Sequence, residues 1–133
     1  MVEERLTLMD ARNIEERWTE YLAANSPIDV KLKMPDTMKA SPVEIYWVAT
    51  QDITPNSRWV STASIATDCI STKGKATALT YLENLKNVVR SIRVDMNDVL
   101  DAKLTGVVYS YDENRKMYGY KTTVQIKYRD YAG

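Results

Sequence analysis

The hydrophobic pattern of this chain changes period along its length, and that change most constrains the fold. Residues 10–24 carry apolar side chains at helical spacing, with Ile14, Trp18 and Leu22 on one stripe. Residues 28–34 instead alternate between apolar and polar side chains, the pattern of a strand with one solvated face. A chain that contains both periods must pack helices against a sheet.

Five further segments complete the order α-β-β-β-α-β-β. That order predicts an α+β fold, a two-layer sandwich in which two helices cover one face of a mainly antiparallel or mixed sheet of about five strands. The helix between the third and fourth strands makes the one long crossover. Turn-rich polar residues predict a loop over 51–57 and a hairpin turn over 112–115. The predicted elements are a helix over 10–24, strands over 28–34, 43–50 and 58–70, a helix from 72 or 76 to 91, and strands over 104–111 and 117–128.

The length and charge of the chain limit what it binds. Its 133 residues are the size of one domain, so we expect a single domain over 1–133, with a flexible arm over 1–9 and a flexible tail over 129–133. The N-terminus lacks the apolar run of a signal peptide, and no segment has the length of a membrane span, so we expect no membrane partner. Eighteen basic and eighteen acidic residues give zero net charge, which disfavours binding to nucleic-acid phosphates and favours self-association.

The residue types that serve catalysis and metal binding are scarce. The chain has no histidine and a single cysteine, Cys69, which we expect to be a half-buried packing residue. Residues 71–76 contain Gly-Lys before a helix, but they lack the first glycine and the Mg²⁺-binding Ser or Thr of a phosphate loop. Asp95, Asp98 and Asp101 are spaced as on one helix face, and without the EF-hand glycine and glutamate this favours a solvated acidic face. We therefore expect no enzyme activity and no catalytic, cofactor-binding or metal-binding residues.

The tyrosines of the last hairpin are the most distinctive feature of the sequence. Tyr109, Tyr111, Tyr118 and Tyr120 lie on its two strands, close to the turn. Stacking on nucleic-acid bases would require a basic groove, which the neutral charge argues against. Two interpretations remain open: cross-strand aromatic packing within the chain, and a subunit interface, where tyrosine is enriched.

The strand over 58–70 predicts a second contact surface. It is rich in Ser, Thr and Ala, and small side chains allow another surface to approach closely. The strand over 43–50 is apolar on both faces, so we expect Trp47 and Trp59 in the core and an uncovered sheet face that needs a partner. The residues that we assign to a subunit interface are Arg58, Val60, Thr62, Ser64, Tyr109, Tyr111, Tyr118 and Tyr120.

Element order and chain length together resemble a known family. A leading amphipathic helix precedes the strand Val43-Glu44-Ile45-Tyr46-Trp47-Val48. A long strand, a helix over 76–92 and a hairpin with the turn Asp112-Glu113-Asn114-Arg115 follow. Over nearly its whole length the chain resembles the tail terminator and tail-completion proteins of long-tailed bacteriophages, the lambda tail terminator group.

The resemblance implies a structural virion protein, made in the cytoplasm of the bacterial host, that assembles with itself as a hexameric ring. Such a ring caps the tail tube and joins it to the head connector, so the implied partners are the tail tube protein and the head connector protein. DNA passes through the centre without specific binding. Two alternatives stay open: another head–tail adaptor or minor capsid protein, and a small α+β ligand-binding domain with a tyrosine-lined pocket between sheet and helices.

Overall fold

The computed structural model of the protein describes residues 14–31, 44–57, 59–114 and 116–129. The predicted α+β class and element order are confirmed. The elements are α1 (Ile14–Ala24), β1 (Asp29–Lys31), β2 (Glu44–Ser57), β3 (Val60–Ser71), α2 (Lys75–Asp95), β4 (Val99–Asp112) and β5 (Met117–Arg129).

The predictions for the two ends of the chain and for Arg58 have different outcomes. The predicted arm over 1–9 and the interface residue Arg58 lie outside the described residues, as do residues 130–133 of the predicted tail. Arg129 does not belong to a tail, because it ends β5 and pairs with Val60.

The five strands form one mixed sheet in the order β1-β2-β3-β5-β4. β1 and β2 are parallel, and the other neighbours are antiparallel. α2 carries the chain from β3 past β5 to β4, which is the predicted crossover. Because parallel neighbours also need a crossover, the expectation of only one is wrong. The second connection, over 32–43, lies outside the described residues.

The core lies between the two helices and one face of the sheet, here called the covered face. The opposite face is called the open face. Burial alternates along β3 and β5. Val124, Ile126 and Tyr128 are fully buried on the covered face, whereas Lys121 and Lys127 are exposed on the open face. One side of α2 is buried against the sheet, as at Leu82, Leu85 and Val89.

The predicted loop over 51–57 is wrong, because these residues continue β2 and pair with β3. A bulge between Val48 and Gln51 inserts one extra residue into β2. This shift places Ile53 against the core. Pairing with β3 therefore keeps this segment in a strand despite its turn-forming residues. The local sequence does not reveal that pairing.

The two tryptophans expected in the core lie outside it. Trp59 is 49% exposed, immediately before β3. Trp47 is half-buried on the open face, where it packs against a separate small cluster of Ile45, Ile70 and Met117. The alternation of β2 explains this, since its neighbours Tyr46 and Val48 occupy the covered face and are fully buried.

Candidate subunit interface

The open face is polar at its centre and apolar at one end. Thr62 and Ser64 of β3 are half-buried there, beside Gln125 and Lys127 of β5. The apolar end is the cluster around Trp47. In the described part of the chain, no helix covers this face, as predicted, and most of the face carries hydroxyl, amide and charged groups.

A small pocket of about 190 Å³ lies at the apolar end of the open face. Burial raises the pKa of Asp68 above its ordinary value, and the Lys121 charge and the backbone N–H of Thr122 oppose that rise. The pocket is smaller than the roughly 300–1,000 Å³ that small-molecule sites occupy. Its lining includes Trp47, Asp68, Ile70, Asp112, Met117 and Lys121.

The tyrosines of the β4–β5 hairpin form two cross-strand pairs. The ring centroids of Tyr109 and Tyr120 are 5.4 Å apart, and those of Tyr111 and Tyr118 are 4.7 Å apart. The Lys75 ammonium lies 4.5 Å from the centre of the Tyr109 ring, at the start of α2. These distances suit aromatic pairing and a cation–π contact. Tyr109 and Tyr111 are 39% and 42% exposed, so the paired rings also present a surface.

A second bulge sets the direction of these rings. Thr105 of β4 pairs with Thr123 of β5, and Val108 pairs with Lys121. Two residues of β4 therefore lie opposite one residue of β5. Gly106 lies in that bulge with φ 61°, a left-handed backbone conformation that glycine adopts without strain. The bulge brings Tyr109 to the covered side, opposite Tyr120, and leaves Val108 59% exposed.

The structure does not bring the predicted interface residues together. Thr62 and Ser64 face away from the helices, near the end of β3 where Val60 begins the strand. The tyrosines lie on the covered side at the opposite end, since Tyr118 pairs with Ser71. The strand over 58–70 and the hairpin, which the sequence predicts as two contact surfaces, therefore lie on separate parts of the sheet, and their role in subunit contacts stays a prediction.

Glu44 is a polar site that the sequence interpretation missed. One carboxylate oxygen accepts hydrogen bonds from the Ser71 and Tyr81 hydroxyls, each at 2.7 Å. The other accepts from the backbone N–H and the hydroxyl of Thr72, each at 3.1 Å. The carboxylate thus holds the turn that leads from β3 into α2, and no phosphate-binding role is needed to explain residues 71–76. A lone carboxylate within an apolar strand was the available signal.

The hydrogen bonds at Glu44 set its protonation. Burial alone would raise its pKa, but the bonds from Ser71, Tyr81 and Thr72 together hold it below the ordinary value of 4.5. The carboxylate therefore adds stability that is present above that pH and is lost as the pH falls through the folded-state pKa. Burial and the bond to Glu44 also raise the pKa of Tyr81 to about 12.

We expect Glu44→Gln to lower the free energy of unfolding by about 1–3 kcal/mol at pH 7, because an amide cannot accept all four bonds. The difference between variant and wild type should shrink as the pH falls below 4.5, since the wild-type carboxylate becomes protonated. Urea denaturation at pH 7 and at acidic pH measures both effects, with the exposed Glu83→Gln as control. If the difference in free energy of unfolding between Glu44→Gln and wild type grows on acidification, the ionised carboxylate does not supply the stabilisation.

The three aspartates of the acidic segment do not converge. Asp95 accepts a hydrogen bond from the Tyr21 hydroxyl, Asp98 is buried beside Arg17, and Asp101 is exposed on the open face. In the part of the chain that the structure describes, no three His, Cys, Asp or Glu residues group as a metal site would need. Cys69 packs in the core, but it is fully buried on the covered face and not half-buried as expected, and burial raises the pKa of its thiol.

Neither a scan of protein-family models nor a search of the curated proteins finds a match to this chain. Among the described residues, no helix combines the length and the apolarity that crossing a bilayer requires.

Proposed function

We propose that this chain is a structural, non-enzymatic protein of a bacteriophage virion, a tail terminator that assembles with itself as a ring at the head–tail interface. The two separated surfaces of the chain carry this proposal. A ring subunit touches its two neighbours through two different surfaces, because the contact is head-to-tail. The Thr62–Ser64 region and the tyrosine pairs lie on opposite faces and at opposite ends of one sheet, so the chain presents two different surfaces.

Composition and element order add support. The zero net charge suits a ring through which DNA passes without being gripped. The element order and the length resemble the lambda tail terminator group. The proposed partners are other copies of the chain, the tail tube protein and the head connector protein.

The mass of the purified protein in solution tests this proposal. Light scattering over a wide concentration range should give a mass about six times that of the 15.2 kDa chain, and electron microscopy should reveal closed rings. A protein that stays monomeric at every concentration would overturn the proposal. The position of the gene, between head-completion and tail-tube genes, separates a tail terminator from another adaptor or a minor capsid protein.

A further inference from the structure

Among the described strands, the sheet has two outer edges with unpaired stretches, and they lie on opposite sides of the sheet. β4 forms one edge, because it pairs only with β5 among the described strands. The other edge belongs to β2, since β1 pairs only with residues Ile45, Tyr46 and Trp47. Within the described residues, the stretch 52–57 of β2 has no strand on its outer side. Unpaired edges of this kind are templates for a further strand.

The strand directions allow these two edges to meet. β2, β3, β5 and β4 are neighbours in that order, and every pair among them is antiparallel. β2 and β4 therefore run in opposite directions. If β4 of one copy lies beside β2 of the next copy in the same orientation, the antiparallel pattern continues across the contact.

The register of the sheet places opposite charges at the same level on the two edges. Asp52 pairs with Ser64, Ser64 pairs with Gln125, and Gln125 pairs with Lys103, so these four residues form one row. The end members of the row, Asp52 and Lys103, are both exposed. A second copy placed at the same level brings its Asp52 opposite Lys103 of the first copy. Opposite charges directly across from each other favour a strand pair.

The two adjacent rows are compatible with the same contact. On the open face, one row ends in Thr54 and Asp101, so a hydroxyl donor would meet a carboxylate acceptor. On the covered face, another row ends in Ile53 and Ala102, which both pack against the core. Pro55 limits the length of the pairing, because proline has no N–H to donate.

We infer that copies of this chain associate head-to-tail, with β4 of one copy pairing antiparallel with residues 52–57 of the next copy and Lys103 lying opposite Asp52. This inference rests on the proposed ring and adds to the two surfaces above a contact between the sheet edges of neighbouring copies. Two edge strands repel each other where like charges face across the contact, and they attract where the charges are opposite. Asp52 opposite Lys103 therefore favours the heterologous pair of edges.

Charge reversal tests the contact. Asp52→Lys and Lys103→Asp each place like charges across it, so each variant should raise the dissociation constant of assembly by about tenfold or more, measured by analytical ultracentrifugation. The double variant should associate as the wild type does. An equimolar mixture of the two single variants should also assemble, because each interface then joins opposite charges. Glu83→Lys changes the charge equally on the exposed side of α2 and should leave association unchanged.

The outcomes separate this inference from the proposed function. Single variants that assemble like the wild type, or a double variant and a mixture that both fail to assemble, would overturn the inference while the ring stands. If Lys103→Asp blocks assembly and Asp52→Lys does not, β4 pairs elsewhere, for example with β4 of a second copy around Ala102, and the inference is wrong. A wild-type protein that remains monomeric overturns the proposed function together with the inference.

Discussion

Trp18→Ala is expected to lower the free energy of unfolding by about 3–5 kcal/mol, the scale of removing a fully buried aromatic side chain. Trp18 is 0% exposed and fixes α1 to the covered face of the sheet. Its indole N–H donates a hydrogen bond of 3.1 Å to the hydroxyl of Thr67 in β3. The substitution therefore leaves a cavity and also removes the donor that satisfies a buried hydroxyl.

Two further variants divide this loss into its parts. Trp18→Phe keeps most of the apolar bulk and removes the donor, so it should cost about 1–3 kcal/mol. Trp59→Ala removes the same residue type at a position that is 49% exposed, and it should cost less than about 1 kcal/mol. Chemical denaturation monitored by circular dichroism measures all three variants. If Trp18→Ala loses no more stability than Trp59→Ala, the packing of Trp18 does not hold α1 to the sheet.

Arg17→Met should destabilise the protein by a similar amount, about 3–5 kcal/mol, because it strips a buried carboxylate of its counter-charge. An Arg17 guanidinium nitrogen lies 3.6 Å from a carboxylate oxygen of Asp98, and the two side chains are only 9% and 3% exposed. Asp98 precedes β4, and its backbone carbonyl accepts a hydrogen bond from the N–H of Arg129. The ion pair thus joins α1 to the start of β4 and the end of β5.

An exposed ion pair provides the matched control. Lys86 and Glu83 on α2 approach to 3.1 Å, closer than the buried pair, but their side chains are 38% and 60% exposed. Lys86→Met should therefore cost less than about 1 kcal/mol. The double variant Arg17→Met/Asp98→Asn should recover most of the loss, since it removes both buried charges. Equal effects of Arg17→Met and Lys86→Met in urea denaturation would exclude the buried-charge explanation.

On β2 and β4, the alternation of residues along the strand does not predict which side chains face the core, because each strand contains a bulge. Leu104 and Tyr109 of β4 both turn to the covered side, although five positions separate them, because the bulge at Gly106 inserts one residue. On β2, the bulge after Val48 has the same effect on Ile53. A bulge is defined against the partner strand, so the sequence of one strand does not reveal it.

Composition predicts two contact surfaces, and their role in subunit contacts stays a prediction. The tyrosine-rich hairpin and the small residues of β3 were found from composition, and both lie at surfaces. The sequence does not indicate that Asp52 and Lys103 lie in one row across the sheet. That alignment depends on the pairing of β2 with β3, of β3 with β5 and of β5 with β4. No spacing along the chain relates two residues that become matched only across a sheet.

The sequence by itself determined the α+β class, the order of elements and the buried stripe of α1, because periods of 2 and 3.6 are local properties. The tertiary structure alone decided the strand order, the bulges, the four bonds that hold Glu44 and the pairing of Arg17 with Asp98. These features join segments far apart in the chain. They arise only when burial of one core brings those segments together and their polar groups must find partners there.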